Sequence, residues 1–124
     1  MFLQYKTRGF VFKKEDMFEA DMLFSVFTKD FGRVEILGKS IRKIASKLRG
    51  GIEVFSLSEV EFVQGKIRKT LTDAIIDKKF NNIYEPEKLR ISYGISEVID
   101  NFIRGEEKDE NILNLLEEVF ENLS

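Results

Sequence analysis

Between residues 3 and 79 apolar and polar positions alternate with the period of two that half-buried strands show, and from residue 86 onward they recur with a helical period. In "YKTRGFVFKKED" Phe10 and Phe12 fall on one face with Val11 opposite, and the acidic-polar stretch Lys14 to Asp16 predicts a turn. "ADMLFSVFTKDFG" carries a second strand, Asp21 to Lys29. "TKDFGRV" then predicts a hairpin in which Asp30 bonds its own backbone and Gly32 takes positive φ at little steric cost. A third strand, Arg33 to Gly38, follows directly.

The period changes at residues 41 to 48. Ile41, Ile44, Ala45 and Leu48 fall at i, i+3, i+4 and i+7, which predicts a short helix capped by Ser40 and stopped by Gly50. Such a helix buries those four residues and turns Arg42, Lys43, Lys47 and Arg49 to water. Strand alternation returns in "IEVFSLSEVEFVQG", where Phe55 and Leu57 share one parity and Val60 and Phe62 the other. A one-residue shift of this kind predicts a β-bulge. Gly65 closes a hairpin into "KIRKTLTDAIID". Three strands, a short helix and two strands is the order of an OB-fold. The expected fold class is therefore mainly β with α: a five-stranded OB-fold (Greek-key) barrel over residues 1–80, followed by two α-helices in a helical extension over 81–124, with the seam near "KKFNNIYEPEK".

Pro86 suits the first turn of the first helix, whose apolar positions are Leu89, Tyr93, Ile95, Val98, Ile99, Phe102 and Ile103, with Gly105 at its end. Asp109 caps a second helix with Ile112, Leu115, Leu116, Val119, Phe120 and Leu123 as its stripe. Stripes this broad leave apolar surface to lie against the barrel, against another copy in a homodimer, or against further chain.

Composition narrows the chemistry. Cysteine and histidine are both absent, which removes disulfides, thiolate or imidazole metal sites and every nucleophile/base pair that needs Cys or His. Carboxylate pairs such as Glu59 with Glu61, or Asp73 with Asp77, lack a convergent third ligand or base, and "RGG" at 49–51 lacks the spacing of a phosphate loop. No enzyme, cofactor or metal is expected. The start "MFLQYKTRGF" has neither the apolar core nor the cleavage site of a signal peptide, and no window is long and apolar enough for a membrane span, so the cytoplasm is the default compartment.

Charge is divided along the chain. Residues 1 to 80 hold 16 Lys and Arg against 11 Asp and Glu, whereas residues 81 to 124 hold 4 against 11. The basic half is where a polyanion is expected to dock. Its densest stretch is "GKSIRKIASKLRGG", where Lys39, Arg42, Lys43, Lys47 and Arg49 lie without one acidic residue. Surface helices often carry Lys and Arg, but this one lacks the interspersed Glu of a self-compensating face, and Arg33, Lys66, Arg68 and Lys69 lie within reach of the same groove in a small barrel. These nine cations are the expected nucleic-acid-binding residues. Most of the 12 phenylalanines alternate as core residues do; Phe31 on the hairpin tip and Phe18 between acidic residues are those expected at the surface.

The motif order, "RGFVFKK", "EAD", "VFTKDFGRVEILGKSIRK", "SKLRGGIEVFSLSEVEFVQG" and "TLTDAII", resembles the amino-terminal barrel of the RecO family of bacterial DNA repair and recombination proteins over about residues 8 to 77. Residues 83 to 102 resemble the first helix of that family's helical domain. The resemblance implies an OB-fold that binds single- and double-stranded DNA, anneals complementary strands, and works with RecR to help RecA displace single-strand-binding protein. Family members are longer, with a larger helical domain that often carries a cysteine zinc site. This chain has two helices and no cysteine, so contact with single-strand-binding protein is not carried over. After "FGR" the family commonly alternates small apolar and basic residues, and Glu35 stands where a cation is usual, which implies lowered affinity for DNA. Two rival readings are a protein-interaction module whose helices bind a partner and an oligosaccharide-binding barrel, which calls for exposed aromatic platforms rather than cations.

Overall fold

In a computed structural model, which describes residues 3–43, 46–105 and 107–124, five strands close on themselves in the order β1-β2-β3-β5-β4. The elements are β1 (Leu3–Met17), β2 (Asp21–Thr28), β3 (Gly32–Gly38), β4 (Ser56–Gln64), β5 (Lys69–Lys79), α1 (Pro86–Phe102) and α2 (Glu110–Leu123). All neighbours are antiparallel except β3 and β5, which run parallel and close the barrel. The OB-fold expected from the order of elements is the fold observed.

Alternation sorts the strand residues into two cores. Val11, Phe24, Val26, Val34, Ile36, Val60 and Phe62 cluster on one side of the strands, while Phe10, Phe12, Phe27 and Leu57 face the other side, against the helices. The second core also takes in Phe55, Phe80 and Ile83 with Ile99, Leu113, Leu116 and Phe120, so barrel and helices share one apolar layer. Phe120 is fully buried, its ring 4.6 Å from Phe10 and 5.7 Å from Phe55. Burial of that side chain contributes about 2–3 kcal/mol. Tyr84 ties down the link between β5 and α1 by donating its hydroxyl to the Val54 carbonyl at 2.5 Å, and burial, with Glu53 and Tyr93 nearby, pushes its pKa up to about 12.

Five local expectations differ from the structure. Lys14 to Asp16 form no turn; β1 continues through them, pairing Lys14 with Phe24 and Asp16 with Met22, and the chain reverses at residues 18–20. In the β2–β3 hairpin Gly32 has φ 66° as expected, but the Asp30 carboxylate accepts from Thr7 Oγ1 at 2.7 Å, and Thr28 Oγ1 supports the turn by accepting from Phe31 N and donating to Gly32 O. The parity change in β4 is no bulge of that strand. The β1–β4 register is unbroken from Leu3↔Gln64 to Phe10↔Leu57, and the register shifts fall in the β4–β5 ladder, which skips Thr72 and Asp77 of β5. Phe55 precedes β4 in a left-handed conformation (φ 63°), so its parity with Leu57 is not a strand relation.

The predicted helix over 41–48 is replaced by turns at 39–42 and 47–51 among the described residues; Ile44 and Ala45 lie outside them. Ser40 has φ 56° and is no N-cap. Its amide donates to Asp21 Oδ1 at 2.6 Å, and the Arg42 amide donates to Ala20 O at 2.9 Å, so the segment bonds the β1–β2 turn where a helix would bond itself. Ile41 is buried and Leu48 half-buried against the barrel core, as the spacing implied.

The helices bury most but not all of their expected stripes, with Leu89, Ile95, Ile99 and Ile103 of α1 and Ile112, Leu116, Val119, Phe120 and Leu123 of α2 in or against the shared core. Asp109 caps α2 as read, accepting from Asn111 N at 2.9 Å, yet Leu113 is buried and Leu115 exposed. On α1 the inward face is Ser92, Ser96 and Ile99, where the Ser96 hydroxyl donates to Phe12 O, and Ile91, Val98 and Phe102 are left exposed. Small serines let α1 approach the barrel closely.

Candidate nucleic-acid interface

The division of charge along the chain is in part an internal fit. Acidic residues of the helices pair with basic residues of the barrel: Lys13 and Arg33 with Asp100 at 3.1 and 2.7 Å, Arg8 with Glu117 at 3.2 Å, and Lys78 with Glu121 at 2.5 Å. These cations are committed before any ligand arrives.

Arg33 is the clearest case. Its side chain is only 14% exposed; Nε donates to Glu35 Oε1 at 2.8 Å, Nη2 to Asp100 Oδ1 at 2.7 Å, and Nη1 to the carbonyls of Asp100 and Ile103 at 3.0 Å each. Burial works against its charge, but the hydrogen bonds to Glu35 and Asp100 outweigh that and raise its pKa. The guanidinium also lies 5.1 Å from the Phe12 ring centroid. The last turn of α1 has no basic residue of its own, so β3 supplies the cation that its carbonyl end favours. Arg33 therefore docks a helix, and it also lines a pocket with Arg68 and Lys69.

Arg42 is likewise engaged. Nη1 pairs with Asp16 at 3.2 Å, while Nη2 donates to Phe18 O at 3.1 Å and to Glu19 O. Glu35, expected as an anion in the groove, accepts from Arg33 and from the Ser25 hydroxyl, which leaves it a neutralised partner on the sheet.

The remaining cations are differently placed. Lys39, Lys43, Lys47, Arg49, Lys66 and Arg68 are exposed, and among the described residues no ion pair holds their side chains. Lys69, half-buried at the start of β5, pairs with Ile36 of β3 and Gln64 of β4. Two groups result, and both border β3. Lys39 follows Gly38, its last residue, in a turn bonded to the β1–β2 turn. Arg68 and Lys69, at the β4–β5 hairpin, line a pocket of about 380 Å³ with Leu23, Val34 and Glu35. Arg49 lies apart with Arg42, Lys14, Ile41 and Glu53 around a second pocket of about 350 Å³.

Of the two aromatic candidates, Phe31 packs its ring against Tyr5 and Phe62 at 5.2 and 6.0 Å, whereas Phe18 is 76% exposed. Sequence reasoning missed Ile67, which is 90% exposed on the β4–β5 hairpin between Lys66 and Arg68. Its signal was an apolar residue inside "KIRK" directly after the turn glycine. Among the described residues no group of three or more acidic side chains is placed to hold a metal ion, and no helix is long and apolar enough to cross a membrane.

Comparison with known proteins adds to this geometry. The family model for the Recombination protein O N terminal domain matches residues 1–80. A DNA repair protein RecO of Dehalococcoides mccartyi is 33% identical over 120 residues, covering 96% of this chain and 47% of the relative. Another from Caldicellulosiruptor bescii is 29% identical over 112 residues, covering 90% and 46%. A third, from Moorella thermoacetica, is 26% identical over 120 residues, covering 96% and 45%. The chain spans about half the length of the curated relatives it matches. With an OB barrel across the matched residues and the family model covering most of the chain, the protein belongs to the Recombination protein O family.

Proposed function

We propose that this chain is the DNA-binding part of a RecO-type recombination mediator, a cytoplasmic repair protein that holds the phosphates of single- and double-stranded DNA and has no catalytic step. The observation that carries this reading is the sorting of the cations. Arg33, Arg8, Lys13 and Lys78 are matched to helix carboxylates, while Lys39, Lys43, Lys47, Arg49, Lys66 and Arg68 stay exposed and without ion pairs among the described residues. Unpaired cations around one sheet attract a polyanion and release its counterions on binding. Annealing then follows from neutralisation, since two strands held on basic surfaces repel each other less. Cooperation with RecR and loading of RecA are the family's roles and come to this chain by membership alone.

Binding of single-stranded and duplex oligonucleotides across a salt series tests the reading. With about four phosphate contacts the slope of log K against log salt is about −3 for single strands. The K39E/K43E/K47E variant is expected to lose binding and keep its thermal stability, because exposed charge changes shift stability by about 0.5 kcal/mol or less apiece. A flat salt response, or no binding at low salt, overturns it.

A second reading has its own observation. Ile91, Val98 and Phe102 lie at i, i+7 and i+11 on α1 and are exposed, Phe102 at 81%. A protein contact on that apolar face predicts an association that barely responds to salt.

A further inference from the structure

Phe18 combines two features that a turn residue has no local reason to carry. It is 76% exposed at the β1–β2 reversal, and its φ of 54° lies in the left-handed region, which strains a bulky L-residue. Glycine or asparagine at this position relieves both the strain and the exposed apolar surface.

The surroundings hold the strained conformation in place. The Arg42 guanidinium reaches across from the turn after β3, donating to Phe18 O at 3.1 Å and to Glu19 O, while Nη1 meets Asp16 at 3.2 Å. The Arg42 amide donates to Ala20 O at 2.9 Å, and Asp21 Oδ1 accepts from Ser40 N at 2.6 Å. Arg42 Nε is buried without a hydrogen-bond partner, so the clamp is kept at some cost in polar satisfaction. Exposed Lys39 and Lys43 flank Arg42 in the segment after β3, and the acidic charge of Asp16 is met by Arg42.

We propose that Phe18 is a stacking platform for an unpaired nucleobase, set by Arg42 beside the phosphate contacts of Lys39 and Lys43. The proposal rests on the DNA-binding reading and sharpens it toward single strands. Arg42 ties the Phe18 carbonyl to the segment that carries exposed Lys39 and Lys43, so a base stacked on the ring has the cations of that segment for its own phosphates. Stacking takes any base, because each presents a π-face, and duplex bases have theirs already covered. Arg42 is then a positioning residue: its guanidinium is spent on carbonyls and on Asp16.

The test uses single-stranded oligonucleotides carrying 2-aminopurine, whose fluorescence falls on stacking, with affinity measured across salt in parallel. Phe18→Ala is expected to abolish the quenching and weaken single-strand binding about 5- to 150-fold, the range of one lost base stack. Its salt slope and duplex affinity stay those of the parent, and Phe18→Trp keeps the quenching. Arg42→Gln is expected to lose quenching with the slope unchanged, whereas Lys39→Glu with Lys43→Glu flattens the slope. Phe18→Gly is expected to melt at the same or a higher temperature than the parent. If the parent binds with the expected slope but Phe18→Ala binds and quenches equally well, the platform is overturned while the DNA-binding reading survives, and the ring is left as a protein contact. If the parent binds no oligonucleotide, both fail. A fall in Arg42→Gln slope equal to that of the lysine variants, or marked destabilisation by Phe18→Gly, also overturns the proposal.

Discussion

Arg33 of β3 and Asp100 of α1 join the barrel to its first helix at 2.7 Å, and the same guanidinium bonds the carbonyls of Asp100 and Ile103 that α1 leaves unpaired at its end. One barrel cation thus serves as a helix cap supplied from another element.

Removing one partner is expected to be worse than removing both. Arg33→Gln leaves Asp100 with Lys13 alone and takes the cation from Glu35 and from two carbonyls at the end of α1, and should destabilise the protein by about 2–4 kcal/mol. In a double-mutant cycle with Asp100→Asn, measured by denaturant unfolding, the coupling should be about 1–2 kcal/mol. A coupling near zero refutes the role assigned to the pair.

Acidification gives an independent reading of the same contact. Hydrogen bonds from Arg33, then from Lys13, hold the Asp100 carboxyl below its ordinary value, with burial opposing weakly. A depressed folded-state pKa contributes stability that is fully present above the unfolded value of about 4 and is lost as pH falls through the folded one. Asp100→Asn should therefore flatten the acid limb of stability against pH below about 4. An unchanged acid limb in that variant would count against the shift.

Gly50 and Gly51 are adjacent and should respond oppositely to alanine. A Cβ on Gly51 would lie 1.7 Å from the Ala74 carbonyl oxygen of β5, whereas one on Gly50 meets nothing within 4 Å. Gly51→Ala should cost about 2–3 kcal/mol by forcing the segment off the barrel, and Gly50→Ala about 0.5 kcal/mol or less. Thermal melts of the two variants check the contrast.

The sequence carries the strands plainly because their alternation serves two cores at once, with Val11 on one side and Phe10 and Phe12 on the other. It misleads at residues 41–48, where Ile41 and Leu48 pack as a helix face would but the backbone bonds Ala20 and Asp21, partners that no local period encodes. The same distance in sequence hides the fate of Arg33, since Asp100 is 67 residues away. Lys39, Lys43, Lys66 and Arg68 are exposed, as is Phe18, whose polar neighbours implied it. Leu115 and Val98 point outward because the faces of α1 and α2 are set by the barrel they dock on, not by the width of their own stripes.

The parallel seam between β3 and β5 rests on two register pairs, Ile36↔Lys69 and Leu37↔Thr70, while each antiparallel seam extends over most of a strand. Bringing these strands together closes a long loop of chain, and the entropy of that closure is recovered by few bonds. The barrel is therefore stitched firmly on four sides and lightly on the fifth, so its cheapest excursion from the closed state is a parting at this edge. Lys66 and Arg68 hang from the β5 side of that edge and Lys39 from the β3 side. A parting there changes the spacing of the two basic groups and is resisted by the core that Val34 and Ile36 of β3 share with Leu71 and Ala74 of β5, which makes that shared layer the spring of a gauge between the barrel's cationic borders.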